Sequence, residues 1–247
     1  MILTLSTFNR TEQVLVLDLE KGFGSPFVEV FKGRDIIRYY INHIEGESFV
    51  VYTNENAPNF QIKNVNLLTN KKEKIILPED KYGELNNLMY KNDYLLYSHS
   101  TKGVNRLSFM NIKTKAVKSI PIIDSAGVMN FADLMEKDST HFEFTFSSMK
   151  TIAATYRYDL VRDSFYIVER DSFDFFKETD YVTERVWTLS RDGEKVPVDL
   201  IYPKGFKKDG SHPMYLTGYG CYGNNLDPTF QFLSTFMFLI RLFLKPK

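Results

Sequence analysis

Cysteine is almost absent from this sequence: Cys221 stands alone among 247 residues. An internal disulfide framework is therefore excluded, and a reducing compartment, the cytoplasm, is the expected location. Net charge is absent too. The 31 acidic residues balance 31 basic ones, so no long-range field draws the chain to nucleic acid or to an anionic membrane. The N-terminus lacks the basic segment and apolar core of a signal peptide. Residues 230–244 are apolar, but 15 residues carrying Arg241 fall short of a membrane span, and no membrane partner is expected. One cysteine and four scattered histidines give no metal-ligand spacing, and no cofactor is expected. Gly-x-Ser-x-Gly, the nucleophile elbow of a serine hydrolase, occurs nowhere.

What is present is a β-forming pattern. With 43% hydrophobic and 15% aromatic residues, the chain can fill a sizeable core. Strand-like runs at residues 3–7, 49–53, 94–98 and 142–146 recur at about 45 to 48 residues. A second series, 14–19, 62–67, 107–112 and 155–160, carries Asp18, Asn66, Asn111 and Asp159 near its strand ends, spaced 48, 45 and 48. A period of about 40–50 residues holding several strands is that of a β-propeller blade. An Asp or Asn at a strand end suits the following turn, because its side chain bonds the backbone two residues on. Gly46, Asn56-Ala57-Pro58-Asn59, Lys91-Asn92-Asp93 and Lys102-Gly103 add turn signals. A β-sandwich with accidental spacing is the alternative. The first repeat opens in mid-blade, which predicts a missing front part.

Beyond residue 180 the pattern changes. Residues 185–190 and 196–202 alternate around Arg191-Asp192-Gly193, a hairpin signal. Residues 213–217 read as a short buried strand emptying into the glycine-rich turn 218–223. That turn also satisfies Gly-x-Gly-x-x-Gly. However, Asn224-Asn225-Leu226-Asp227-Pro228 cannot open the helix of a dinucleotide site, and Phe243 stands where a ribose-binding carboxylate belongs. Lys71-Lys72-Glu73-Lys74 reads as a solvated turn, without the aromatic interleaving of a nucleic-acid surface. Phe173, Phe175 and Phe176 are expected at the junction of two parts, with Asp171, Asp174 and Glu178 as surface charge around them.

Phe31-Lys32-Gly33-Arg34-Asp35, the run from Tyr52 to Phe60, Phe146-Ser147-Ser148-Met149, the run from Tyr181 to Trp187, Arg191-Asp192-Gly193-Glu194-Lys195-Val196-Pro197-Val198 and Gly218-Tyr219-Gly220-Cys221-Tyr222-Gly223 carry a resemblance. Together they resemble the prolyl oligopeptidase family of serine peptidases, and among its branches oligopeptidase B. Members join a seven-bladed propeller to an α/β-hydrolase domain, and the propeller admits only short peptides to the serine. The resemblance implies a mostly β chain. Residues 1–178 would be the C-terminal half of the propeller, about four blades, and 179–230 the first strands of the α/β-hydrolase domain. Residues 231–247 depart from the family, as a shifted reading frame or an early end would make them, and would expose an apolar patch that favours aggregation or a partner.

The resemblance also implies site residues. Tyr219 matches the family tyrosine that donates its hydroxyl to the oxyanion; on its own it reads as a core tyrosine at a strand end. Asp227 matches an acidic position near basic substrate side chains, and reads equally as a turn residue before Pro228. The triad is absent, because His43, His99 and His141 fall in the repeats and His212 precedes the glycine-rich turn. The expected function is a fragment of a serine oligopeptidase that hydrolyses short peptides, inactive unless the remainder of the peptidase joins it. The alternative is a non-catalytic β-propeller binding module.

Overall fold

Strands dominate because residues alternate faces and turn residues punctuate them at short intervals. The structure, a computed structural model, describes the chain except residues 7–10, 34–35, 67–72, 133–139, 175, 222–225 and 232–247. Among the described residues the only helical element is a 3-10 turn at Glu178–Asp180.

Four sheets follow one another. β1 (Ile2–Ser6), β2 (Thr11–Val16) and β3 (Val28–Lys32) form a three-stranded sheet ordered β1-β2-β3. β4 (Tyr39–Glu45), β5 (Ser48–Thr53), β6 (Gln61–Asn66) and β7 (Glu73–Leu77) form the second, ordered β4-β5-β6-β7. β8 (Gly83–Lys91), β9 (Tyr94–Thr101), β10 (Val104–Asn111) and β11 (Val117–Ser119) form the third, again in sequence order. β12 (Gly127–Phe131), β13 (His141–Ser148), β14 (Ala154–Asp159) and β15 (Ser164–Arg170) form the fourth. No strand in these sheets skips a neighbour, which is the order of propeller blades and not the Greek key of a sandwich.

The turn chemistry follows the sequence. Asp18 Oδ1 accepts the Glu20 N–H, Asn111 Oδ1 those of Lys113 and Thr114, and Asp159 Oδ1 those of Val161 and Arg162. The turn after Asn66 lies outside the described residues. Asn92-Asp93 and Lys102-Gly103 have positive φ at both positions, the requirement of a two-residue hairpin whose twist matches its strands.

The chain divides into two compact units, 1–99 with 109–117, and 100–108 with 118–247. In the first unit β5 is buried on both faces. Phe49 and Val51 pack with Val14, Val16 and Val30, whereas the alternate residues Val50 and Tyr52 pack with Leu85, Leu95 and Met110. A strand reads as continuous apolar sequence when both faces are covered. In the second unit the fourth sheet is filled by rings. Phe142 stacks on Tyr158 at 5.0 Å and Phe144 on Tyr156 at 5.2 Å, with Phe165 edge-on to Phe144 and Tyr156.

After residue 180 the expectations hold only in part. The hairpin forms: β16 (Tyr181–Leu189) pairs antiparallel with β17 (Lys195–Pro203). Its loop is longer than the Asp-Gly pair suggests. Gly193 alone has positive φ, +87°, and its N–H bonds the Ser190 carbonyl, while Ser190 N–H bonds Glu194. Residues 213–217 are not a strand. Met214, Tyr215 and Leu216 are 71%, 59% and 70% exposed, because a strand needs neighbours to satisfy its backbone, and no described strand pairs with them. The turn residues 222–223, Arg34 and Asp35, Lys71 and Lys72, Phe175 and nearly all of the apolar tail lie outside the described residues.

Candidate functional site

All the segments after residue 175 that carry expected site residues belong to the second unit, and contacts within that unit position them. The hairpin is two-faced. On one face Tyr181 stacks on Phe176 at 5.0 Å, the Thr183 hydroxyl donates to Asp124 Oδ2 at 3.0 Å, and Arg185 Nη1 donates to the Lys102 carbonyl at 2.8 Å. Arg185 also grips Asp199, its cross-strand partner, through Nε and Nη2 at 2.7 and 2.5 Å. Pro197 lies 3.4 Å from where a Cβ on Gly103 would stand. The other face carries Val182, Val186, Val196, Val198 and Leu200. There Glu184 accepts from the Tyr202 hydroxyl and from Lys208, and these bonds hold its carboxyl below the usual carboxylate range.

The loop that accepts the hairpin is braced by bonds of its own. Asp124 Oδ1 accepts the Ala126 N–H and the Asp124 carbonyl accepts that of Gly127. Arg106 braces the same loop, donating from Nη1 to the Gly127 carbonyl at 2.7 Å and from Nη2 to the Ser125 carbonyl at 3.2 Å. Burial and the neighbouring Arg185 lower the Arg106 pKa. Lys150 Nζ stands 3.9 Å from Asp124. Lys102, Asp124 and Lys150 sit in the β9–β10, β11–β12 and β13–β14 connections, which an up-and-down order brings to the same end of their sheets.

The sequence-predicted residues lie close by in the chain. Phe173, Phe176, Tyr181 and Phe230 form an aromatic cluster, with Phe230 at 6.2 Å from Phe173 and 5.0 Å from Phe176. The Phe230 N–H donates to Ser147 Oγ at 3.0 Å, fixing the segment that holds Asp227. Asp227 is half-buried, and burial pushes its carboxyl above the usual range. Its backbone carbonyl, not its side chain, takes the turn bond, from Thr229 N–H at 2.7 Å. Tyr219 is 54% exposed on the unpaired stretch after residue 211, so it is not a core tyrosine. Glu178 accepts from Arg170 at 2.6 Å and from the Ile152 N–H, a tie rather than free surface charge, whereas Asp171 and Asp174 are exposed. The histidines have local contacts: His43 with the Gly46 carbonyl, His141 with Asp159 at 3.4 Å, and His212 with the Phe206 ring.

Sequence reasoning missed Asp124, Thr183 and Arg106. The Asp-x-x-Gly spacing of Asp124 and Gly127 is a turn signal that could have marked the loop, but it carries no sign of the distant Thr183.

Residues 1–171 match the family model for the prolyl oligopeptidase N-terminal β-propeller domain. The prolyl endopeptidase of Elizabethkingia meningoseptica is 24% identical over 234 residues, covering 93% of this chain and 32% of the relative. Protease 2 of Moraxella lacunata is 25% identical over 233 residues, covering 93% and 33%. Among solved structures, oligopeptidase B from Trypanosoma brucei with covalently bound antipain matches with a TM-score of 0.83 at 20% identity, over 93% of this chain and 34% of that one. The chain thus spans about a third of the length of the relatives it matches.

Proposed function

Because this chain belongs to the prolyl oligopeptidase family, we propose that it is part of a serine oligopeptidase acting on short peptides. Residues 1–178 serve as the later half of the substrate-restricting propeller, and residues 179–230 open the catalytic α/β-hydrolase domain. The observation that carries this reading is the family match over residues 1–171, followed by a hairpin docked on the ends of the sheets. The apolar outer face of that hairpin is suited to a covering domain.

Within this reading Tyr219 donates its hydroxyl to the oxyanion of the tetrahedral intermediate, where charge exists only in the transition state. Its exposed ring leaves the hydroxyl available to a substrate. Asp227 attracts a basic substrate side chain: a half-buried carboxylate with a raised pKa gains from an incoming cation. The 247 residues contain no nucleophile elbow, so the serine, aspartate and histidine come from sequence outside them, and the chain by itself performs no acyl transfer. The lone Cys221 supports a cytoplasmic location.

The test replaces the matching third of Moraxella lacunata protease 2 with this chain. A fluorophosphonate probe is expected to label the chimera and not the chain alone. In the chimera Tyr219→Phe should lower kcat by about 100-fold. Labelling of the chain alone, or a chimera whose kcat ignores Tyr219, overturns the reading and favours the non-catalytic binding module.

A further inference from the structure

From the contacts of β16 and β17 we infer that the hairpin is a separately opening unit, latched to the fourth sheet and its neighbouring loops by Thr183 and Arg185. The inference does not depend on the peptidase reading. Not one of the hairpin's 18 residues is buried, whereas β13 and β14 each bury several, Phe142, Phe144, Phe146 and Tyr158 among them. A two-stranded hairpin that buries no side chain fully is marginally stable in water. Little apolar burial therefore ties its opening to that of the sheet.

Beyond the Tyr181–Phe176 stack at one end and the Pro197 contact at Gly103, its ties are polar, and all of them lie on one face. Thr183, Arg185 and Pro197 share that face, since Arg185 pairs with Asp199 and Trp187 with Pro197 in the register. Of their partners, Asp124 is held in its own turn by bonds independent of the hairpin, and Lys102 and Gly103 form the tight turn between the paired strands β9 and β10. A fixed receptor facing a loosely packed element gives two states, docked and released. Release breaks the Thr183 and Arg185 bonds, leaves the Arg185–Asp199 fork inside the hairpin intact, and exposes Asp124 to water, where its charge is readily solvated.

Hydrogen–deuterium exchange on the full chain tests this. Thr183→Val keeps a β-branched side chain and removes the hydroxyl; amides of residues 181–189 and 195–203 should exchange about fivefold faster, with residues 141–148 and 154–159 unchanged. Thr183→Ser should restore the parental rates. Thr188→Val, the same change at an exposed position of the same strand, should leave them alone. Unchanged hairpin exchange in Thr183→Val, equal acceleration in β13 and β14, or the same effect from Thr188→Val would each overturn the inference.

Discussion

Substituting Gly127 by alanine tests the packing of the braced loop and the sheet behind it. Gly127 opens β12 opposite Ser148. An added Cβ would stand 2.3 Å from Cε2 and 2.5 Å from Cζ of Phe146, and 3.1 Å from the Ser147 carbonyl oxygen. Carbon atoms rest at about 3.5–4.0 Å, so ring or strand must move by more than an ångström. Phe146 is 1% exposed and edge-on to Tyr156, which leaves the ring nowhere to go. Overpacking of this kind costs roughly 1–3 kcal/mol, and contacts this short place Gly127→Ala near 3. With a urea slope of about 2 kcal/mol/M, the unfolding midpoint should fall by about 1.5 M. The steric cause has its own signature. In a Phe146→Leu background the same alanine should cost at least ~1 kcal/mol less. A loss under ~0.5 kcal/mol, or an equal loss in both backgrounds, would refute the reasoning.

Two further outcomes are expected. The Arg162 and Val161 N–H groups hold the Asp159 carboxyl below its ordinary range, and Lys118 and the Tyr158 hydroxyl do the same for Asp163. Folded values below unfolded ones mean that this stabilisation is complete above the ordinary carboxylate range and is lost as pH falls through the folded values. Asp159→Asn and Asp163→Asn should therefore flatten the acid limb of stability between about pH 5 and 2, followed by urea unfolding; a parental slope would contradict the linkage. Phe176→Ala removes a buried ring stacked on Tyr181 and edge-on to Phe230, and should cost about 3–5 kcal/mol by urea unfolding; a cost below ~1 would mean the cluster packs loosely.

The parts of the fold legible in the sequence are those that short-range chemistry determines. Asp18, Asn111 and Asp159 announce their turns because the side chain bonds its own neighbours. The blade period is legible because each sheet is built from consecutive strands. Residues 213–217 misled because an apolar run becomes a strand only beside a partner, and the run itself carries no sign of one. Asp124 was invisible for a related reason: Thr183 lies 59 residues away, and no local pattern links the two. Tyr219 and Asp227 were found through motif context, which names a position but not its surroundings.

The ring-filled fourth sheet has a consequence for how its strands find one another. Phe142 faces Tyr158 and Phe144 faces Tyr156, while between them Glu143 faces Arg157 and bonds it at 2.5 and 2.9 Å. Sliding β14 past β13 by a single residue would turn every β14 side chain over, taking both stacks apart, thrusting the Arg157 guanidinium among the phenylalanines and leaving the Glu143 carboxylate facing a tyrosine ring. Alternating rings and charges thus act as the teeth of a key: among neighbouring alignments, one closes and the next is barred on both faces at once.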